Sequence, residues 1–233
     1  FPAIAIADRN GLYGAVMFAN ACKAEGIQPI IGTLLGVARD SEGKQVDYLP
    51  LYAQDEQGYD NLCHLVSRAH LERPLEFEPH VRLTDLDGRT GGLIAFSGAS
   101  EGALTKLLAE GQQSHAEILL QKLQELFPER LYIELARRGN EVEERAEAAL
   151  VELAYGRDLP LIATNPANFA EPHMHKAHDA MLCIAGSTHI DADERAKSNP
   201  ESYVKTYHMM DEAFDDLPEA VQNTLVVAQR CAY

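Results

Sequence analysis

The chain has 233 residues, 46% of them hydrophobic, enough for one large core or two modest ones, and no run approaches the roughly eighteen apolar residues of a membrane span. Its net charge of −16 opposes binding to a phosphate backbone, so any DNA or RNA nearby would have to be held by another domain. In chain order, the stretch "IAIADRNGLYGA" (4–15) predicts a buried strand that stops on Asp8-Arg9-Asn10-Gly11. A helix over 12–25 follows, with Leu12, Ala15, Val16, Ala19 and Cys22 on one apolar face and Gly26 ending it. Next come a strand over 29–38, a turn over 40–44 and a strand over 48–53. The alternation continues with a helix over 58–72, a strand over 92–98, helices over 101–110 and 115–127, and a strand over 131–136. A helix over 141–156 and a strand over 160–165 close the series. Beyond residue 170 the pattern gives a helix over 172–186, a polar loop over 191–206 and a final helix over 218–232.

Strands separated by helices need crossovers, which implies a mainly parallel sheet covered by helices, either a barrel or a doubly wound sheet. Both architectures gather working groups at the carboxyl ends of the strands. Those ends carry Asp8-Arg9, Thr33-Leu34, Ser97-Gly98-Ala99, Glu134 with Arg137-Arg138, and Asn165 to Asn168. The four cysteines, Cys22, Cys63, Cys183 and Cys231, lack the short spacings of zinc or redox pairs and read as buried thiols of a reducing cytoplasm. No secretory signal pattern is present, and the opening inside a strand suggests an excerpt from a longer chain.

Three constellations invite chemistry. His173, His175 and His178 lie within six residues, but without a carboxylate at matching helical spacing the expectation is two solvent-facing rings and a structural bond from His178. Ser97 lacks a nucleophile elbow, and Ser100 is expected to cap the helix that follows. Asp8 and Glu134 each end a strand, where a metal or phosphate chemistry would want a carboxylate. Against a metal, the neighbouring strand ends are aliphatic or cationic, so an ion-pair cluster is expected in which Arg9 or Arg138 neutralises the two acids.

The segment "AIADRNGLYGAVMFANACKAEGIQPIIG" resembles the second block of the PHP (polymerase and histidinol phosphatase) domain found at the amino end of bacterial DNA polymerase III alpha subunits. Further matches follow in order: "LYAQDEQGYDNLCHLVSRAHLE", "GLIAFSG", "LYIELARRG", "DLPLIATN", "AHDAMLCIA" and "LPEAVQNTLVVAQRCA". The resemblance implies an α/β fold, a distorted seven-stranded β/α barrel here missing its first strand region. It assigns residues 1–207 to the PHP domain and residues 208–233 to a helical connection toward a polymerase palm.

Family members with an intact site hold a cluster of metal ions that supports phosphoesterase or proofreading hydrolysis. Carried over by position, this chain keeps Asp8 and Glu134 as vestigial metal positions. It has Arg9, Leu34, Tyr48, Ala99, Arg138, Pro166 and Asn168 where the family has other ligands. With those ligands gone, no metal or other cofactor is expected in this segment, and magnesium belongs to the downstream palm. The implied role is an inactive scaffold that docks an epsilon exonuclease and the remaining palm and thumb of the alpha subunit. DNA would be met only through other domains, with no membrane involved and a cytoplasmic location. The competing expectation is a surviving metal-dependent phosphohydrolase, acting on pyrophosphate or on a DNA 3′ end.

Overall fold

The computed structural model describes residues 1–39, 43–73 and 76–232; the predicted turn over 40–44 therefore lies partly outside the described residues. Six strands pair in the order β1-β2-β3-β4-β5-β6: β1 Ala3–Arg9, β2 Gln28–Ala38, β3 Val46–Ala53, β4 Leu93–Phe96, β5 Leu131–Leu135 and β6 Leu161–Ala163. Among the described residues, the helices are α1 Ala15–Ala24, α2 Glu56–Leu71, α3 Ala103–Ala109, α4 Gln113–Leu126, α5 Glu141–Gly156, α6 His175–Ala185, α7 Tyr207–Ala213 and α8 Pro218–Arg230. This is an α/β arrangement of the PHP barrel type, with the sheet curled so that β2, β4, β5 and β6 share one inner apolar cluster.

Side-chain parity explains the two cores. Along β4, Leu93 and Ala95 face the helical layer while Ile94 and Phe96 face inward. In β5 the outward set is Leu131, Ile133 and Leu135, with Tyr132 inward; in β6 it is Leu161 and Ala163, with Ile162 inward. Successive side chains of a strand point to opposite faces, so runs apolar at every position are what a sheet buried on both sides requires. The outer core packs these residues against Leu62 and Leu65 of α2, Leu104 of α3, Leu120 of α4 and Leu150 of α5. The inner core is floored by α8, which contributes Val227 and, just past its end, Cys231.

The helix α8 also ties the sheet together across its width. The Gln28 amide donates to Ala228 O at 2.7 Å, Asn223 Nδ2 donates to Leu161 O at 2.7 Å, and Arg230 donates to the Tyr132 hydroxyl at 2.9 Å. Strands two and six, far apart in pairing order, thus meet on one helix.

The sheet is not uniformly parallel. The pairs β1·β2, β4·β5 and β5·β6 run parallel, whereas β3 is antiparallel to both β2 and β4. The helix α1 makes the crossover from β1 to its parallel neighbour β2, but only a short connection separates β2 from β3, so the chain must reverse there. The reversal places the start of β3, at Tyr48, beside the ends of the other strands, since Gly36 pairs with Tyr48.

Local expectations fare unevenly. Gly26, at φ 69°, ends α1 as the sequence predicts, and Ala15 and Cys22 are buried, but Val16 is 70% exposed and lies on the solvent side. Ser100 is not a cap: α3 begins two residues later than that role requires, with Gly102 at the cap position and no side-chain bond there. The helix α7 and the 3-10 turn Leu83–Leu86 were not anticipated. The segment 191–206 is free of helix and strand and carries one isolated β-bridge, from Tyr203 to Phe169.

Candidate functional site

The mouth of the barrel, where the strand ends converge, is built on two charged clusters and one buried acid. At the β1 side, Arg9 donates to Glu101, and its guanidinium lies 4.7 Å above the Tyr48 ring. Tyr48 in turn donates its hydroxyl to Glu78, and its own amide donates to Glu101 O at 2.9 Å. A cation over an aromatic face gains from the ring quadrupole, so Tyr48 acts here as a platform for Arg9.

At the β5 side, Arg138 Nη2 donates to Glu143 at 2.5 Å and to Ser100 Oγ at 3.1 Å, and its Nη1 reaches Pro166 O at 3.5 Å. Glu143 also accepts the amides of Ser100 and Arg138, each at 3.4 Å. These two side chains are only 12% and 7% exposed, so each charge depends on the other. Glu143 reaches this point because Asn140 caps α5, its side chain accepting from Val142 N and Glu143 N, which turns the first helical turn toward β5.

Glu134, on the inner face of β5, is 4% exposed. Its Oε1 accepts from the Thr164 hydroxyl at 2.6 Å, while its Oε2 has no partner in the chain. Burial pushes its carboxyl up to about 7; the Thr164 bond, the Arg138 charge and the Gly98 amide pull it down without offsetting that cost. Asp8 is engaged elsewhere: its Oδ2 accepts the Gly14 amide at 3.0 Å, at the entrance of α1, where a carboxylate is favoured by the exposed helix N–H groups.

The expected neutralisation of Asp8 and Glu134 by Arg9 or Arg138 is therefore corrected. Each arginine takes a glutamate from a loop or helix start, Glu101 or Glu143, that can approach its guanidinium end-on. Leu34 pairs with Arg9 in the sheet register, and its carbonyl accepts Asn10 N at 2.9 Å. Ala99 accepts the Gly102 amide at 2.9 Å, and Asn168 is exposed, its amide donating to Ser202 O at 2.8 Å. The sequence reading missed Glu78, Glu101 and Glu143 as partners. The N-x-x-E spacing of Asn140 and Glu143, a helix-start signature, was the signal available for the last.

Of the three histidines, His173 and His178 follow the expectation of an exposed ring and a structural bond, and His175 departs from it. His173 is exposed beside Glu171, but His175 Nε2 donates to Ser198 O at 3.0 Å, and His178 Nδ1 bonds to Ser198 Oγ at 2.7 Å. Both rings therefore hold the 191–206 segment. Cys22, Cys183 and Cys231 are buried and Cys63 half-buried, all unpaired. Burial pushes the Cys231 thiol up to about 12, which keeps it unreactive.

The model of the PHP domain matches residues 1–138. The chain belongs to the PHP domain family. Relatives with curated names extend the likeness to the whole chain. It is 39% identical to the DNA polymerase III subunit alpha of Caulobacter vibrioides over 100% of this chain and 21% of the relative. It is 34% identical to the subunits of that name from Pseudomonas aeruginosa and Escherichia coli K12, over 99% of this chain and 20% of each relative. The chain spans about a fifth of the length of these relatives.

The residues of this PHP domain do not fit the metal cluster that the family implies. Guanidinium groups stay protonated, and the side chains of Leu34 and Ala99 carry no lone pairs. Among the described residues, no three His, Cys, Asp or Glu come together as a metal-holding group. The mouth is instead held by its own ion pairs, Arg9–Glu101 and Arg138–Glu143. Its cations are spent on its own glutamates.

Proposed function

We propose that this chain is the PHP portion of a bacterial replicative DNA polymerase III alpha subunit, and that it serves there as a catalytically inactive scaffold and docking surface for the epsilon exonuclease. The observation that supports the inactive role is the Arg138–Glu143 pair: it occupies the β5 ligand position with a buried cation and leaves Glu134 without a metal-like partner. A catalytic cluster needs several anionic or neutral ligands on each ion, and a guanidinium repels a metal. The nucleotidyl-transfer magnesium ions then belong to the palm of the full subunit. DNA reaches the assembly through other domains, as the net charge of −16 favours. A cytoplasmic location follows from this role, and no helix among the described residues is long and apolar enough to cross a membrane.

The test uses the full-length alpha subunit and this chain in parallel. Each is assayed for hydrolysis of pyrophosphate, p-nitrophenyl phosphate and a mismatched DNA 3′ end with magnesium, manganese or zinc, and for co-elution with the exonuclease subunit. The expected result is co-elution without hydrolysis. Hydrolysis by both proteins that is lost in Glu134→Gln would replace the scaffold with a working phosphohydrolase. A full-length subunit that fails to hold the exonuclease would remove the docking role.

A further inference from the structure

The segment between α6 and α7 is fastened at two places that belong to different parts of the molecule. On one side it is bound to α6. Arg195 donates both terminal nitrogens to Asp179, each at 2.8 Å, the Ser198 amide donates to the same carboxylate at 2.9 Å, and His175 and His178 hold Ser198. On the other side it is bound to the barrel mouth. Asn199 Nδ2 donates to Arg138 O at 3.1 Å, Ser202 O accepts the amides of Asn168 and Phe169 at 2.8 and 3.3 Å, and the Lys205 amide donates to Asn165 Oδ1 at 2.8 Å.

These barrel-side bonds are backbone or neutral side-chain contacts, while the α6 side carries the one bidentate ion pair of the segment. Charge-assisted, bidentate pairs are the stronger kind, and Arg195 and Asp179 are 7% and 15% exposed, so solvent screens this pair little.

What lies at the mouth under this segment is unusual. Among the described residues, five buried side-chain polar atoms have no partner in the chain, and four of them belong to the mouth or to the segment itself: Glu134 Oε2, Arg138 Nε, Asn165 Nδ2 and Ser202 Oγ. Closing the segment over them withholds bonds that solvent would otherwise make, which works against closure. The segment is thus fastened to α6 by one charge-assisted pair, and to the mouth by neutral bonds, above polar atoms that water would satisfy.

We propose that residues 187–206 form a strap that closes over the β5–β6 half of the mouth, latched by the Arg195–Asp179 pair and poised to open and admit solvent to the polar atoms beneath. The strap is a conformational gate on the mouth, independent of whether the mouth binds anything else.

Ser202 gives a direct readout, because its side chain is fully buried and its hydroxyl makes no bond that a thiol would lose. The experiment measures thiol labelling of Ser202→Cys in the full chain, resolved from the four native cysteines by peptide mass spectrometry. In the latched protein the thiol should be protected. Adding Asp179→Asn should speed labelling by about tenfold or more, the scale for losing a charge-assisted bidentate pair. Arg195→Gln should do the same, and the two together should be no faster than either alone, since both remove one latch. Should Ser202→Cys fail to fold, amide exchange at Asn168 and Phe169, whose protons are held by Ser202 O, reads the same opening in Asp179→Asn alone. Labelling or exchange unchanged by loss of the latch overturns the proposal. So does acceleration that extends equally to the Ile133 and Leu135 amides, which would mean that the whole barrel opens.

Discussion

Glu134 and Arg138 show how one strand end can carry two opposite electrostatic solutions. Glu134 is buried with its carboxyl raised from its ordinary 4.5 to about 7, so the protonated form is favoured by the fold. The stabilising effect of that proton is complete below pH 4.5 and is lost as pH rises through about 7. Glu134→Gln keeps an acceptor for Thr164 without ionising. The variant should therefore gain on the native protein between pH 5 and pH 8, by up to about 3 kcal/mol in chemical denaturation. An equal gap at both pH values would show that Glu134 does not titrate in the fold.

Arg138, by contrast, stays charged and is matched by Glu143 in a nearly buried pair. Arg138→Ala strands Glu143 and should cost about 3 to 5 kcal/mol. Arg9→Ala should cost less than about 1 kcal/mol, because Arg9 and Glu101 are 56% and 45% exposed. Urea melts of the two variants give this contrast, and equal losses would contradict the burial difference on which it rests.

At the scale of elements, the alternation of apolar strands and amphipathic helices was legible because the central strands β4, β5 and β6 are buried on both faces and most helices on one, whereas β1, expected to be buried, has no fully buried residue. The helix over 141–156 and the strand over 29–38 were located within a residue of their observed ends for that reason. Other features rest on contacts distant in sequence, which local patterns do not encode. The reversed direction of β3 depends on a turn too short for a crossover. The exposure of Val16 depends on which side of α1 the sheet lies. The choice of Glu101 and Glu143 over Asp8 and Glu134 as arginine partners depends on how the loops fold over the strand ends. The helix α8 was visible as a helix, but not as the floor of the inner core. Its attachment can be tested at Asn223, which satisfies the otherwise open Leu161 carbonyl. Asn223→Ala should lower stability by about 1 to 3 kcal/mol, the cost of an unmet buried acceptor. It should also raise amide exchange along β6 more than along β2. Uniform exchange would mean that α8 is not anchored there.

For the whole molecule, 36 acidic against 20 basic residues set the long-range field, and most of the arginines at the mouth are already occupied by glutamates. Binding of a single-stranded or duplex oligonucleotide to this chain should be undetectable by fluorescence anisotropy at ordinary salt. It should not acquire the steep salt dependence of a phosphate-contacting surface as ionic strength is lowered. Measurable binding with such a slope would mean that a cationic face offsets the net charge.

The bond between Gln28 and the Ala228 carbonyl joins residues 200 positions apart, and this separation has a consequence for synthesis in the cell. The inner core cannot receive its floor until α8 has left the ribosome, so the apolar inner residues of β2 must wait for the rest of the chain. At about 5 to 20 residues per second, that wait is roughly 10 to 40 seconds. Over that interval a nascent chain carries an unfinished apolar surface, the kind of surface that chaperones bind. The last helix therefore sets the time at which the first half of the sheet becomes safe from aggregation.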